Sequence, residues 1–152
     1  MNAPKRRHLP GSGLGFSLIE LMVAVAVVGI ITAIALPSYR SYVLRGNRTD
    51  AIRTLTFYQQ ALERCYSQNF SYLNAAGTPC PSAPGTPTTS SNNYYNITFP
   101  VLAANQYTIL AVPTGPQAKD TQCASMQVSQ NGAQSALDSG GVDSTQACWG
   151  GK

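Results

Sequence analysis

Residues 15–36 read GFSLIELMVAVAVVGIITAIAL, an apolar run that contains a single charged side chain, Glu20. A helix rising about 1.5 Å per residue needs about 20 residues to cross the hydrocarbon core of a bilayer, and residues 16–35 supply them. An acidic side chain at the centre of a membrane helix costs roughly 2.5 to 3.5 kcal/mol. The run therefore predicts a membrane helix in which Glu20 has a functional partner.

A short basic leader precedes this run. Its three cationic side chains are Lys5, Arg6 and Arg7. Their position fits retention of the leader on the cytoplasmic side of a membrane. If the chain is cut between Gly15 and Phe16, the new α-amino group lies about one helical turn from Glu20, on the same chain or on a neighbour. The cut also lowers the formal net charge from +4 to +1, so the basic pI does not indicate a nucleic-acid partner.

The segment Gly15-Phe16-Ser17-Leu18-Ile19-Glu20-Leu21-Met22-Val23 closely resembles the processing site of type IV prepilins. The resemblance implies that prepilin peptidase cuts between Gly15 and Phe16 and methylates the amine of Phe16. It also implies that Glu20 pairs with the N-terminus of a neighbouring subunit during filament assembly. The expected partners are other pilin subunits, prepilin peptidase, the inner-membrane pilus assembly machinery and, before assembly, the membrane.

Two simpler interpretations account for part of this pattern. A secretory signal peptide would use Ala33-Ile34-Ala35 as its cleavage site and release a domain that starts at Leu36. A single-pass anchor would explain the length of the run. Neither explains a carboxylate at position 20.

The helix is expected to weaken at Gly29 and Pro37, since proline removes one backbone donor and clashes with the preceding turn. Pilins that resemble this chain lose helical order between such a glycine and proline in the filament. An ordinary membrane-helix kink is the alternative.

A second helical pattern follows from Arg48 to about Gln68. Its apolar residues repeat at spacings of four and three, on one face: Ala51, Leu55, Tyr58, Leu62 and Cys65.

The expected division of the chain is a removed leader (residues 1–15), a transmembrane and filament-core helix (16–43) and a globular head (44–152). The segment from Thr78 to Asn93 holds four prolines and predicts an exposed loop.

Strand patterns come after the loop. Residues 94–99 predict a strand in which Tyr95, Ile97 and Phe99 share one face, and residues 106–112 form a more continuous apolar strand. Met126 and Val128 alternate with polar residues before Asn131-Gly132, which indicates a tight hairpin turn. We expect an α+β fold in which a long N-terminal helix packs on an antiparallel sheet.

Four cysteines allow three disulfide pairings, and the residues alone do not choose among them: Cys65, Cys80, Cys123 and Cys148. An exported head meets an oxidising environment, and the chain lacks the CxxC spacing typical of metal sites. Pairing sequence neighbours would close loops of about 15 and 25 residues, each worth roughly 3 kcal/mol.

The head also resembles type IVa pilins, in particular PilE-type minor pilins and ComP-type DNA-uptake pilins. The matching residues are Ala111-Val112-Pro113, Gln117, Asp120, Cys123 and Cys148-Trp149. The resemblance implies a C-terminal loop closed by a Cys123–Cys148 disulfide and an additional Cys65–Cys80 disulfide.

No residue pattern indicates an enzyme. The only histidine, His8, lies in the leader, so the processed chain has no imidazole base or ligand. Asp138 and Asp143 lie in a Gly/Ser-rich segment that predicts a loop. We expect no catalytic residues, no metal and no cofactor.

The favoured function is a minor pilin in pilus assembly and in pilus-dependent motility or adhesion, first a single-pass inner-membrane precursor and then part of an extracellular pilus. A major pilin and a type II secretion pseudopilin are alternatives. DNA capture for natural transformation is another, although the helix arginines lie largely where neighbouring subunits would pack: Arg40, Arg45, Arg48, Arg53 and Arg64. Tyr94, Tyr95 and Tyr107 could stack on bases or serve a strand core.

Overall fold

The longest element, helix α1, spans Leu18–Asn69 and ends one residue beyond the predicted Gln68. The computed structural model describes residues 15–74, 77–80 and 87–150. The described residues fall into two units that divide between Ser38 and Tyr39. The division of the chain into residues 1–15, 16–43 and 44–152 stays a prediction.

The first unit presents apolar side chains around the whole circumference of α1. Every residue from Phe16 to Leu36 is exposed. By length and composition this helix is able to cross a membrane. The hydroxyl of Thr32 donates to the carbonyl of Val28 at 2.7 Å, so this polar group is satisfied within the helix. A helix that is apolar all round needs lipid or protein as its surroundings.

Helix α1 runs through both Gly29 and Pro37 as one element. A proline in a membrane helix is tolerated because neighbouring groups re-satisfy the freed carbonyl. The loss of helical order between these two residues in a filament stays a prediction.

The second unit combines the rest of α1 with a five-stranded antiparallel sheet whose strands follow in chain order. The strands are β1 (Thr88–Thr89), β2 (Tyr95–Ala103), β3 (Gln106–Pro113), β4 (Ser125–Ser129) and β5 (Gln134–Leu137). Two 3₁₀ turns, Gly115–Lys119 and Thr121–Cys123, lie between β3 and β4, and the short helix α2 (Thr145–Trp149) follows β5.

The core lies between α1 and the sheet, as the periodicities predict. Ala51, Leu55 and Leu62 are fully buried and belong to one apolar cluster with residues of all four longer strands. On the sheet side the cluster includes Tyr95, Ile97, Tyr107, Ile109, Ala111, Met126, Val128 and Ala136. Tyr58 is only partly buried and packs on the edge of this cluster, where its ring meets that of Phe99 edge to face at 5.4 Å.

Two details of the sheet differ from the sequence prediction. Strand β2 continues to Ala103, past Pro100, with a register shift between Thr98 and Val101. A proline lacks the N–H of a regular ladder, so a shifted, locally unpaired stretch accommodates it. Thr88–Thr89 forms the edge strand β1 inside the segment predicted as a loop, while residues 81–86 of that segment lie outside the described residues.

The predicted hairpin turn at Asn131-Gly132 is confirmed. Gly132 has φ of +75°, a conformation that glycine adopts without strain. The side-chain oxygen of Asn131 accepts the backbone N–H of Ala133 at 3.0 Å, and β4 pairs with β5 on either side of the turn. This turn fixes the register of the last hairpin.

Candidate functional site

The predicted cleavage site lies just before α1. Gly15, Phe16 and Ser17 have no regular secondary structure, and the Phe16 side chain is 83% exposed. The carbonyl of Ser17 accepts the backbone N–H groups of Glu20 and Leu21 at 3.0 and 3.2 Å. The Gly15–Phe16 bond is therefore outside the helix, and Glu20 lies in the first helical turn.

Ser17 and Glu20 have a spacing that the prepilin resemblance does not by itself explain. A Ser followed three residues later by a Glu is the pattern of a capping box, in which the glutamate side chain accepts the backbone N–H of the serine. Carboxylates in the first turn also interact favourably with the helix dipole. Glu20 thus has two candidate roles, helix capping and pairing between subunits, and an amide at position 20 would separate them.

A buried ion pair connects α1 to the segments that follow the sheet's third strand. Arg48 is 5% exposed. Its Nε donates to Oδ2 of Asp120 at 2.7 Å, and its Nη2 donates to Oδ1 at 2.8 Å. This is the bidentate geometry in which guanidinium–carboxylate pairs are strongest. The same guanidinium donates to the side-chain oxygen of Gln122 at 2.9 Å and to the carbonyl of Ala147 at 3.0 Å.

Gln117 extends this network across the core. The side chain is fully buried, and its Nε2 donates to the hydroxyl of Tyr95 and to the carbonyl of Leu44, both at 3.0 Å. Its Oε1 accepts Nδ2 of Asn47 at 3.0 Å. In the described part of the chain, no buried side-chain nitrogen or oxygen lacks a hydrogen bond. The network is therefore complete, as buried polar groups require.

The expectation that Arg48 faces neighbouring subunits is wrong. Arg48 lies three residues before Ala51 and seven before Leu55, so it occupies the buried stripe of α1. A charged residue on a buried stripe needs a partner in the same fold. Asp120 is that partner. Because the two residues are 72 positions apart in sequence, no local sequence pattern predicts that they pair.

The two disulfides join sequence neighbours. Cys123 bonds Cys148, which closes a loop that contains β4, β5 and most of α2, and Cys65 bonds Cys80. Both Cys123 and Cys148 are buried in the core cluster. The indole N–H of Trp149, next to Cys148, donates to the carbonyl of Ser135 at 3.1 Å. Helix α2 is thereby fixed both to β5, by the Trp149 hydrogen bond, and to the 3₁₀ turn that follows Asp120, by the disulfide.

A second polar cluster lies at the other end of α1 in the head. One carboxylate oxygen of Glu63 accepts the hydroxyl groups of Tyr72 and Tyr107 at 3.1 and 2.9 Å. The rings of these tyrosines meet edge to face at 4.8 Å, and Tyr66 stacks on Tyr72 at 4.7 Å. With the adjacent Cys65–Cys80 bond, this cluster holds the last turn of α1 against the sheet.

Burial keeps three head tyrosines protonated to unusually high pH. It raises the pKa of Tyr95 to about 12. Burial and the Glu63 acceptor together raise the pKa of Tyr72 to about 12, and the same two causes raise the pKa of Tyr107. A buried phenol resists ionisation because the phenolate loses its hydration.

The second unit exposes fewer cationic side chains than its number of Lys and Arg residues indicates. With Arg48 buried against Asp120, the exposed cations in the described part of the second unit are Arg40, Arg45, Arg53, Arg64 and Lys119. Tyr95 and Tyr107 are fully buried, so of the two alternatives for these residues the structure favours the strand core over base stacking. Asp138 and Asp143 lie in the β5–α2 loop as predicted. Among the described residues, no three His, Cys, Asp or Glu side chains form a metal-binding group.

Comparison with known proteins identifies the family. The family model described as "Type IV minor pilin ComP, DNA uptake sequence receptor" matches residues 37–127, more than half of the chain. The chain belongs to this family of type IV minor pilins. A second model, "Prokaryotic N-terminal methylation motif", matches residues 14–36 of the pilin and covers the predicted cleavage site.

Several characterised pilins are similar to part of this one. Prepilin peptidase-dependent protein D of Escherichia coli (strain K12) is 41% identical over 51 residues, which is 34% of this chain and 35% of that protein. The type IV major pilin protein PilE1 of Neisseria gonorrhoeae is 37% identical over 71 residues, which is 45% of this chain and 33% of that protein. The matches span about a third of the length of these curated relatives.

Among solved structures, a type IV pilin from Shewanella oneidensis is 28% identical, with a TM-score of 0.43, and the match covers 60% of this chain and 89% of that one. The minor pilin PilV of Neisseria meningitidis is 19% identical, with a TM-score of 0.48, over 64% of this chain and 90% of that one.

These findings confirm the pilin resemblance and the predicted fold class, including the C-terminal disulfide Cys123–Cys148. The apolar helix, the methylation motif and the fimbrial relatives support a membrane precursor that becomes part of an extracellular pilus. The roles of Gly15, Phe16 and Glu20 stay predictions.

Replacing Arg48 by methionine should lower the free energy of unfolding by about 3–5 kcal/mol, because it leaves the buried Asp120 carboxylate uncompensated. Urea unfolding of the purified chain in detergent, followed by the fluorescence of the single tryptophan Trp149, measures the change. Arg53→Met, on the exposed face of the same helix, should change it by less than about 0.5 kcal/mol. Adding Asp120→Asn to Arg48→Met should restore part of the loss. Equal effects of the two arginine variants would contradict the assignment.

Alkaline pH should destabilise the head. A tyrosine whose pKa is raised from about 10 to about 12 by folding keeps its proton while the unfolded chain releases it. The resulting stability is complete below about pH 10 and is lost as the pH rises to about 12. Urea midpoints over this range measure the slope, which Tyr72→Phe should reduce and the exposed control Tyr42→Phe should not. A slope that is the same in both variants would contradict the role of Tyr72.

Proposed function

We propose that this chain is a minor subunit of a type IV pilus and that its function is structural, without a catalytic activity of its own. Prepilin peptidase cuts the precursor between Gly15 and Phe16 and methylates the new amine. The processed chain passes from the inner membrane into the filament and takes part in assembly and in pilus-dependent motility or adhesion. Membership of the minor-pilin family supports this function.

The observation that carries the proposal is the exposed apolar surface of α1 in the first unit. All side chains from Phe16 to Leu36 are exposed, and the only charge among them is Glu20. Such a surface is stable in lipid, or against similar helices of other subunits, but not in water. A subunit that moves from lipid into a filament needs an apolar helix surface, which suits both environments. It also needs a charged group that selects its partner in the filament.

Glu20 supplies that selection. In a bundle of apolar helices an unpaired carboxylate is costly, and a neighbouring α-amino group removes the cost by pairing with it. Cleavage after Gly15 creates an amine of the required charge at Phe16. Contacts between the exposed surfaces of neighbouring heads then add specificity.

The test compares Glu20→Val with Glu20→Gln. Glutamine keeps an acceptor for a capping-box hydrogen bond but loses the charge. Quantitative mass spectrometry of sheared filaments and of membranes should find both variants cleaved to an N-methylated Phe16 in membranes. In filaments both should be depleted at least about tenfold, since breaking a buried charge pair costs about 3–5 kcal/mol.

Asp138→Asn is the matched control, because it makes the same charge change in an exposed loop and should enter filaments normally. Normal incorporation of Glu20→Gln would assign position 20 to helix capping alone. A wild-type chain that starts at Leu36 would contradict the cleavage site.

DNA binding is a second candidate function. The family description names a DNA uptake sequence receptor. One cleft of the head, about 340 Å³, combines Arg53 with the exposed ring of Phe57 and the polar residues Thr89 and Ser91. A cation beside an exposed aromatic ring is the combination that holds phosphates and stacks on bases.

If this cleft binds DNA, the affinity of the full chain in detergent for a labelled duplex should fall steeply with salt. Arg53→Gln and Phe57→Ala should both weaken it, while Arg64→Gln, the same charge change further along α1, should have less effect. Fluorescence anisotropy measures the affinity. An absence of binding at low salt would exclude this function for the isolated chain.

A further inference from the structure

A basic cleft of about 350 Å³ opens beside the first turns of α1 in the second unit. Its lining combines two cations with apolar surface. Arg40 comes from α1 and Lys119 from the 3₁₀ turn after β3, and the apolar walls include Tyr39, Val43 and Pro116. The fold thus brings together two cations that are 79 residues apart in sequence.

The charge of this cleft is not compensated within the described residues. None of its lining residues is acidic. The nearest carboxylate in sequence, Asp120, is buried and already paired with Arg48 in a bidentate ion pair. Arg40 and Lys119 are both exposed, and the structure gives neither an ion-pair partner among the described residues. The cleft therefore favours an anionic occupant.

The position of Arg40 in the chain indicates where that anion is found. Arg40 follows Leu36, the end of the apolar run, by only four residues. Tyr39 and Tyr42 are 66% and 69% exposed, and exposed tyrosines at the end of a membrane helix are typical of the membrane–water interface. Cations just beyond a membrane helix are attracted to anionic lipid headgroups.

We propose that this cleft binds the headgroup of an anionic phospholipid in the periplasmic leaflet of the inner membrane. Arg40 and Lys119 donate hydrogen bonds to the phosphate, and Tyr39, Val43 and Pro116 contact the glycerol and the adjoining acyl carbons. The lipid holds the base of the head at the membrane surface while the subunit is a precursor. The inference goes beyond the proposed pilus role, because it concerns the membrane-bound chain before any filament forms.

The full chain in nanodiscs that contain equal amounts of phosphatidylglycerol and phosphatidylcholine provides the test. Native mass spectrometry of the released protein gives the ratio of retained phosphatidylglycerol to retained phosphatidylcholine. Each Lys or Arg beside an anionic surface strengthens binding about fivefold. The double variant Arg40→Gln/Lys119→Gln should therefore lower this ratio at least about fivefold. The control Arg64→Gln removes an exposed cation outside the cleft and, unlike the single variant Arg40→Gln, should leave the ratio unchanged.

A photoreactive benzophenone amino acid in place of Pro116 identifies the occupant directly. In the same discs it should form an adduct with phosphatidylglycerol, and Arg40→Gln should reduce the yield. An adduct mainly with a second protein chain would assign the cleft to a neighbouring subunit and overturn the proposal. Equal loss of lipid preference in Arg40→Gln and Arg64→Gln, or no preference in the wild type, would also overturn it. None of these readouts depends on filament assembly.

Discussion

The buried pair of Arg48 and Asp120 holds the head together. It joins the helix that leaves the membrane to the turn after β3, and the same guanidinium reaches α2 through the carbonyl of Ala147. Gln117 continues the connection to β2 through Tyr95. Because a buried charge is tolerated only with its partner in place, helix and carboxyl-terminal segments have to adopt their native positions together. The pair therefore adds a polar connection between elements that also share the apolar core.

Covalent bonds reinforce an arrangement that a small head cannot stabilise by burial alone. A domain of about 100 residues buries a limited share of its surface. The Cys123–Cys148 bond closes the loop that contains β5 and α2, and the Cys65–Cys80 bond fixes the chain where it leaves α1. The tyrosine cluster on Glu63 lies beside the second bond. Each end of the helix in the head therefore has one polar cluster and one disulfide.

Helix α1 is suited to an apolar environment in its first part and to water in its second part. In the first unit its exposed apolar surface suits lipid or neighbouring helices. In the second unit one stripe packs on the sheet, and the exposed side carries mainly polar and charged residues together with Phe57. Between these regions of the sequence lie Tyr39, Arg40 and Tyr42, all exposed. Side chains with an apolar body and a polar tip suit a boundary between hydrocarbon and water. Along α1, an apolar segment is thus followed by a boundary segment and then by an amphipathic segment. This order suits a precursor that is anchored in the membrane by its first segment and carries an exported head on its last.

The amino-acid sequence by itself determined the features that depend on near neighbours in the chain. The membrane run, the stripe through Ala51, Leu55 and Leu62, the alternation in the strands and the Asn131-Gly132 turn all follow from local periodicity or local backbone preference. The fold class follows from their order. The Cys123–Cys148 pairing came only from family resemblance, since the residues alone leave three pairings open.

Only the tertiary structure decided which polar residues meet across long separations in the chain. The members of each pair lie on different elements, so no local pattern brings them together: Arg48 and Asp120, Glu63 and Tyr107, and Arg40 and Lys119. The position of Arg48 on the apolar stripe shows that it needs a partner but does not identify that partner. The identity of the partner depends on the path of the chain through the turns after β3, which packing of the whole head determines.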